Sequence, residues 1–394
     1  MRSITIIIAF ASLILTSHSG RSQERDSIPL LLLDTDIQIE ATDGINDMYN
    51  FQFKKADSQF RWLRKKYGWH PLPHFLLGLS QWWRIVPNVK DEQYDEAFLS
   101  YMDTSIMVAE NIFNKGSTVE GGFFLSAAYA FKGRLYAERH QWTKAAAEGK
   151  KALKYLEYCR DREEFGAEVL FGDALYNYYS VWIPENYKIL KPMMVFFRDG
   201  DKALGVEQLR DVANNAFYTR TEAQYWLMKI ENEEGNYEKA YFLAEYLRKT
   251  FPNNAYFHRY FIRMLYQRGR FYMLEPECLS AMEGIDEGKD GYEYNTGRYA
   301  AYFLGQIYAF KKDDAKAKMY YELSVKYGEQ AEAQEMGFHL MSLFELGRIE
   351  KEGGNYPGAE RYFKEVKKYA SSKSTHYEKA QQELKTMKKG KRRR

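Results

Sequence analysis

A spacing that recurs four times constrains this chain more than any other feature. Each copy has six positions. The first is a small or apolar residue, the second lies three residues later, and the third, often aromatic, lies six residues after the second. An alanine follows three residues later, and the last two positions come after a further four and then three residues. The copies are Gly133, Tyr136, Trp142, Ala145, Gly149, Ala152; Met228, Glu231, Tyr237, Ala240, Ala244, Leu247; Gly305, Tyr308, Asp314, Ala317, Tyr321, Ser324; and Gly347, Glu350, Tyr356, Ala359, Phe363, Val366. Units this short cannot bury a hydrophobic face alone, so the pattern predicts helical hairpins stacked side by side.

The small residues of each copy predict how its two helices pack. Alanine or glycine is needed where two helix backbones approach, so we interpret Ala145, Ala240, Ala317 and Ala359 as packing residues. Two copies share the turn Gly-Asn-Tyr, at 235–237 and 354–356. Its glycine predicts a left-handed backbone that ends the first helix, and Pro252 predicts the end of a second helix.

These residues resemble the tetratricopeptide repeat (TPR), a helix-turn-helix unit of about 34 residues. The resemblance implies an all-α fold: a right-handed α-solenoid of antiparallel helix pairs, a TPR-like superhelix. The intervals between copies are not multiples of this length, so some hairpins must be degenerate, and the apolar run from Tyr256 to Met282 predicts one such pair. A fifth match to the spacing is Gly44, Asp47, Phe53, Ala56, Phe60, Leu63, although the segment before Gly44 is a poor helix candidate.

Residues 172–209 carry a second resemblance, to eukaryotic TPR proteins linked to inclusion-body clearance and lipid droplets. It rests on Gly172, Asn177, Pro184, Gly200, Asp201, Lys202, Gly205, Gln208 and Leu209. Arg198 replaces an apolar residue of that pattern, and Ser180 is offset from it. The resemblance implies a shared architecture without a shared function. Pro184 and Pro192 bracket the apolar piece Met193 to Phe197, which we expect to form a broken helix.

The predicted organisation has four parts. Residues 1–22 form a signal peptide, 23–42 an extended N-terminal segment, 43–384 the helical-repeat solenoid and 385–394 a basic, disordered tail. We expect the solenoid to be one elongated domain, because each repeat of such an array contacts only its neighbours.

The N-terminus predicts export. Arg2 precedes the apolar run from Ile4 to Leu15, which is followed by small residues such as Ser17 and Ser19. The run is shorter than the 20 or so residues that span a bilayer, and no lipid-anchor cysteine follows it, so we expect a cleaved signal and a periplasmic or secreted protein. Cys159 and Cys278 lie several repeats apart, which favours two separate buried thiols over a disulfide.

Charge argues against nucleic acid as a partner of the solenoid. The last ten residues hold seven cations and no acid, so the formal net charge of +3 leaves −4 for the rest of the chain. Nucleic-acid binding needs a basic face on the folded part. The tail itself is predicted to be solvated, with contact to an anionic surface as the alternative.

No motif indicates catalysis, a cofactor or a metal. His70 and His74 flank Pro71 and Pro73, which make a regular helix with both rings on one side unlikely. The acidic cluster Asp34, Asp36, Asp43, Asp47 lacks the glycine and final glutamate of a calcium loop. The adjacent acids Glu163-Glu164 and Glu233-Glu234 diverge on a helix and cannot share a proton. Phosphate loops, serine elbows and Cys-His couples are not visible in the sequence.

The predicted site is the groove formed by the first helix of each pair. Its exposed positions combine cations with aromatic rings: Arg134, Tyr225, Lys229, Asn232, Tyr299, Tyr302, Gln306, Phe344, Arg348 and Lys351. Such a surface suits an extended peptide or a carboxylate-bearing segment, and the alternative is a scatter of ordinary surface residues.

The sequence therefore predicts an exported, non-catalytic scaffold of a bacterial cell envelope that binds a protein or peptide. The first alternative is a glycan-binding helical-repeat protein with Trp82, Trp83, Trp142, Trp182 and Trp226 as platforms. The second is an uncharacterised hydrolase on a helical scaffold, which no set of residues supports.

Overall fold

The fold of this chain is all-helical over the part that the computed structural model describes, residues 31–116, 118–160, 166–186, 188 and 198–391. These residues form seventeen α-helices, with a short 3-10 helix at Val86–Asn88, and contain no strand. The helices are α1 Thr35–Tyr49, α2 Phe53–Tyr67, α3 Pro71–Ile85, α4 Asp95–Asn114, α5 Thr118–Glu138, α6 Trp142–Cys159, α7 Gly166–Asn186, α8 Lys202–Asn215, α9 Arg220–Glu233, α10 Tyr237–Thr250, α11 Ala255–Gln267, α12 Phe271–Asp286, α13 Tyr294–Phe310, α14 Asp314–Gln330, α15 Gly337–Glu352, α16 Tyr356–Tyr369 and α17 Thr375–Lys391.

Each helix packs against the next one along the chain. Short turns join most of these helices, so the described helices form eight antiparallel hairpins, α1/α2 through α15/α16, followed by α17. The prediction of an all-α, TPR-like solenoid of helix pairs is confirmed. The degenerate pair predicted between Tyr256 and Met282 is the hairpin α11/α12.

The glycines of the repeated spacing lie where the two helices of a hairpin pack closely against each other. A Cβ on Gly305 would lie 2.5 Å from the ring of Tyr321, and one on Gly347 would lie 2.7 Å from the ring of Phe363. Gly44 stands in the same relation to Phe60, also at 2.7 Å, which shows that the fifth match is a genuine hairpin. In the two Gly-Asn-Tyr turns, Gly235 and Gly354 have φ values of 81° and 80°, in the left-handed region that the sequence predicted.

Both ends of the solenoid extend beyond the predicted boundaries. The segment before Gly44 is helical, because Asp34 caps α1 by accepting a hydrogen bond from the Ile37 amide. The disordered tail predicted from residue 385 is instead helical as far as Lys391. Lysine is a good helix former, and buried Ala380 and Met387 bind α17 to the preceding hairpin.

The prolines beside His70 and His74 start a helix rather than preventing one. Pro71 is the first residue of α3, where its missing N–H costs nothing, and His70 caps the helix by accepting from the Leu72 amide. The two rings have different partners: His70 Nε2 lies 3.2 Å from Glu120 Oε1, and His74 Nε2 lies 3.1 Å from the Gly68 carbonyl.

Other predictions fall partly outside the described residues. The signal peptide 1–22 lies outside them, as does the apolar piece Met193 to Phe197. Cys159 and Cys278 are buried thiols in different hairpins, as predicted. Among the residues described, no helix is both long and apolar enough to cross a membrane.

The array is curled on itself, which contradicts the prediction of an elongated domain with contacts between neighbours only. The side-chain Nδ2 of Asn254 donates to the Tyr49 carbonyl at 2.7 Å, and the guanidinium of Arg259 donates to the Pro87 carbonyl at 3.1 Å. Lys90 reaches the carbonyl of Glu332 at 2.6 Å, 242 residues along the chain. One hydrophobic core therefore runs from Leu31 to Leu346.

Candidate functional site

The odd-numbered helices line one side of the array. Contacts join α1 to α3, α3 to α5, α5 to α7, α11 to α13, α13 to α15 and α15 to α17, and no equivalent contacts of similar extent join the described even-numbered helices. The array therefore curves toward its odd-numbered helices. Their exposed side chains face the inside of the curve, which is where the sequence predicted the groove.

Arg134 of α5 stands at one end of this inner side between two indoles. Its guanidinium lies 4.5 Å from the ring centre of Trp82 and 4.7 Å from that of Trp226. Its Nη2 donates to the Tyr225 hydroxyl at 3.2 Å. Stacking between aromatic faces holds the guanidinium in one orientation without neutralising its charge.

Lys229 of α9 lies next to this group. Its ammonium is 4.7 Å from the ring centre of Trp226 and 5.5 Å from that of Tyr225. Burial lowers the pKa of Lys229 below the usual lysine value, and the nearby charge of Arg134 acts in the same direction. The two cations thus form a positive region against aromatic rings.

Helix α11 continues the pattern toward α13. Tyr256, Tyr260 and Arg263 recur at +4 and +3, so they share one face of α11. The Arg263 guanidinium lies 5.1 Å from the ring centre of Tyr260 and 5.7 Å from that of Tyr299 on α13. The hydroxyls of Tyr225 and Tyr256 are 3.4 Å apart, which connects this stretch to Arg134.

We call the half-buried residues of this row the inner ladder: Arg134, Trp226, Lys229, Tyr256, Tyr260, Arg263 and Tyr299. None of its three cations has a carboxylate within ion-pair distance among the described residues, whereas most other Arg and Lys residues near the array's core do. A cation held on aromatic rings keeps its hydrogen-bond donors available for a ligand. The side-chain oxygen of Asn232, one turn beyond Lys229, is likewise buried without a described hydrogen-bond partner.

A buried carboxylate lies beneath the ladder. Glu222 of α9 is 3% exposed, and its Oε1 accepts from the Trp83 indole at 2.9 Å and from the Tyr49 hydroxyl at 3.4 Å. Burial raises the pKa of Glu222, and the opposing effect of Arg134 is smaller. Glu222 thus joins the first hairpins to α9 at the place where the array closes.

The structure brings together only part of the predicted groove. Arg134, Lys229 and Tyr299 belong to the inner ladder, Asn232 borders it, and Tyr225 supports it from below with 1% exposure. Tyr302 is also 1% exposed and packs on Phe338, so it is a core residue.

The remaining predicted residues have partners within the chain. Gln306 donates to the Tyr321 hydroxyl at 2.7 Å, and Phe344 packs against the ring of Phe363. Arg348 pairs with Glu345 and Glu352 on its own helix, and Lys351 pairs with Glu383. These positions at the C-terminal end do not extend the ladder.

Tryptophan burial disfavours the glycan-binding alternative. Trp82 and Trp83 are 1% and 0% exposed, so neither can serve as a sugar platform. Trp142 is 64% exposed, but it lies at the start of α6, on an even-numbered helix. The ring of Trp226 is contacted by Arg134 and Lys229, each 4.7 Å from the ring centre.

The sequence prediction missed Trp226, Tyr256, Tyr260 and Arg263. The last three lie on α11, whose hairpin lacks the spacing of the four clear copies. Their own recurrence at +4 and +3 is the signal that could have located them. Trp226 was considered only as a sugar platform.

In the part of the chain that the structure describes, the acidic, histidine and cysteine side chains do not form a metal site. Within the described ranges, no group of three or more His, Cys, Asp or Glu residues is placed to hold a metal ion.

Neither a family model nor a curated protein matches this sequence. Solved structures with a similar helical-repeat arrangement include human IFIT1 with PPP-AAAA, at 13% identity and a TM-score of 0.42, covering 80% of this chain and 68% of that one. Yeast Tom70 has 13% identity and a TM-score of 0.39, covering 81% of this chain and 64% of that one. The TPR domain of P58(IPK) has 12% identity and a TM-score of 0.23, covering 89% and 99%.

Proposed function

We propose that this protein is a scaffold that binds a protein or peptide partner through the inner ladder and performs no bond chemistry itself. One observation carries the proposal: Arg134, Lys229 and Arg263 lie half-buried on aromatic rings without a described carboxylate partner. No described carboxylate lies within ion-pair distance of these cations, and Glu222 and Glu233 act on them only from farther away. A carboxylate supplied by a ligand would therefore make a charge-assisted contact that the described chain does not make itself.

The chemistry of the ladder favours an extended segment that carries acidic side chains. Its rings supply flat contact area at low entropic cost, and its three cations supply charge-assisted hydrogen bonds along the row. The curvature of a helical solenoid creates an extended concave surface of the kind that such proteins use for binding.

We also propose that the protein is exported to the periplasm or secreted. The support is the sequence alone: Arg2, the apolar run from Ile4 to Leu15, and the small residues after it. Detection of a mature N-terminus near residue 22 in protein recovered from outside the cytoplasm tests this proposal.

The binding proposal is tested by affinity capture with matched charge variants. The ladder variant carries Lys229→Ala and Arg263→Ala, and the control carries Lys249→Ala and Lys364→Ala, whose side chains are 73% and 66% exposed on even-numbered helices. A partner retained by the parent and the control but lost from the ladder variant supports the proposal. Equal retention by all three proteins contradicts it.

A form that ends at Leu384 separates the ladder from the C-terminal cations. This form also lacks the buried Met387, so its melting temperature must be that of the parent. With that condition met, loss of the partner from this form alone would place the binding site on residues 385–394, where the sequence predicted contact with an anionic surface.

A further inference from the structure

Helix α2 carries an unusual concentration of positive charge. It contains six cations, Lys54, Lys55, Arg61, Arg64, Lys65 and Lys66, and its single acid, Asp57, is 6% exposed and held by Ser80 and Arg84. The opposite side of α2 is apolar: Phe53, Ala56, Phe60 and Leu63 are buried in the hairpin. The outward face is therefore almost purely cationic.

Two exposed indoles accompany these charges. Trp62, in the middle of α2, is 51% exposed, and Trp69, in the turn after α2, is 44% exposed. Tryptophan is costly to leave half in water, and most other tryptophans of the described chain are more deeply buried. The ammonium of Lys66 lies 5.2 Å from the ring centre of Trp62, so the indole and the cation form one surface.

The acids of α1 border this surface on one side only. Glu40 pairs with Lys66 at 2.6 Å, and Asp47 accepts from Gln59 at 3.4 Å. In the helical projection both contacts lie at the edge of the exposed face, while Lys54 and Lys65 lie nearer its centre beside Trp62. Lys54 and Lys65 have no ion-pair partner among the described residues.

We propose that this α2 surface, formed by Lys54, Lys55, Arg61, Trp62, Lys65, Lys66 and Trp69, binds the surface of an anionic lipid bilayer. Indole rings prefer the headgroup layer, where the ring is desolvated while its N–H keeps a polar partner. Lysine and arginine side chains around them reach the lipid phosphates. This proposal is independent of the inner ladder.

A membrane fits this surface better than a nucleic acid does. A planar bilayer would meet the outward face of α2, and the centre of that face, at Lys54, Trp62 and Lys65, lies away from the acids of α1. A nucleic-acid strand needs a basic track that continues beyond one helix of 15 residues, and here the acids of α1 interrupt it.

Vesicle co-sedimentation tests the proposal. The form of the protein used in this experiment starts at residue 23 and so keeps every described residue. The vesicles contain phosphatidylcholine alone or a mixture of phosphatidylcholine with phosphatidylglycerol. We expect binding to the anionic vesicles that weakens with added salt. The double variant Trp62→Ala, Trp69→Ala and the double variant Lys54→Glu, Lys65→Glu should each lower the partition coefficient by about tenfold or more.

Two controls separate this surface from other parts of the chain. Trp142→Ala removes an exposed indole elsewhere and should leave binding unchanged. The form that ends at Leu384 removes the C-terminal cations and should still bind. Unchanged circular dichroism and melting temperature verify that each variant is folded.

Three results would overturn the proposal. The first is equal binding of the parent and both α2 variants to anionic vesicles. The second is loss of binding only in the form that ends at Leu384. The third is binding to a single-stranded oligonucleotide with no binding to either kind of vesicle.

Discussion

The indole N–H of Trp83 donates a hydrogen bond to Oε1 of Glu222 across 2.9 Å, and the two residues lie 139 positions apart in sequence. Trp83 belongs to the second hairpin and Glu222 to the fifth, so this bond exists only because the array curls on itself. The ring of Trp83 also contacts Tyr225 and Phe257 at centroid distances of 5.7 and 5.3 Å. Closure of the array is thus built around one indole.

Replacement of Trp83 should uncouple the hairpins. We expect Trp83→Phe to lower the free energy of unfolding by about 1 to 3 kcal/mol, because the buried Oε1 of Glu222 loses its best donor. In a Glu222→Met background, where no side-chain oxygen remains to accept this hydrogen bond, the same change should cost less. Urea unfolding of the four proteins of this double-mutant cycle measures the difference, and an equal cost in both backgrounds would contradict a Trp83–Glu222 interaction.

Glu222 should make stability depend on pH. The pKa of Glu222 is raised in the folded state, so above the unfolded pKa the folded protein binds more protons than the unfolded chain does. Its contribution is complete below the unfolded pKa of about 4.3 and is lost as pH rises through the raised folded pKa. We therefore expect the parent to lose stability relative to Glu222→Gln as pH rises above this value. Parallel pH profiles of the two proteins in urea unfolding would refute the prediction.

Two glycines should respond oppositely to alanine. Gly305→Ala places a methyl group 2.5 Å from the ring of Tyr321 and should cost about 1 to 3 kcal/mol of stability. In Gly149→Ala, within helix α6, the added methyl group meets no atom within 4 Å, so this change should add about 0.5 to 1 kcal/mol through helix propensity. Thermal or urea unfolding gives both values, and a stabilising Gly305→Ala would show that the hairpin tolerates wider separation.

Asn254 allows capping to be separated from closure. Its side-chain oxygen accepts from the Tyr256 and Phe257 amides and caps α11, while its nitrogen donates to the Tyr49 carbonyl. Asn254→Asp keeps the cap and removes the donor, so it should loosen the first hairpin at a cost of about 1 to 3 kcal/mol. Hydrogen exchange should then become faster in α1 while α11 stays protected. Unchanged exchange in α1 would mean that other contacts hold the closure.

Much of this fold could be predicted from particular residues. Gly305 and Gly347 located hairpins because a glycine and the aromatic residue 16 positions later must face each other in such a unit. The register of the copies predicted exposed positions at Arg134, Lys229 and Tyr302, but Arg134 and Lys229 are half-buried and Tyr302 is 1% exposed. The reason is that the spacing shows which side of a helix a residue is on but not how closely the next hairpin covers it.

Sequence alone therefore predicted the hairpins of the four clear copies, since these follow from contacts within about 34 residues. It did not predict helix α1, the regular start of α3 at Pro71 or the helical end of α17. Only the tertiary structure decided that the array closes between Trp83 and Glu222, that Tyr256, Tyr260 and Arg263 continue the inner ladder, and that the tryptophans of α3 are core residues. The physical reason is that curvature accumulates from small rotations between successive hairpins. No single copy of the repeat encodes the sum of these rotations. Contacts between hairpins that are distant in sequence therefore cannot be inferred from the spacing within one copy.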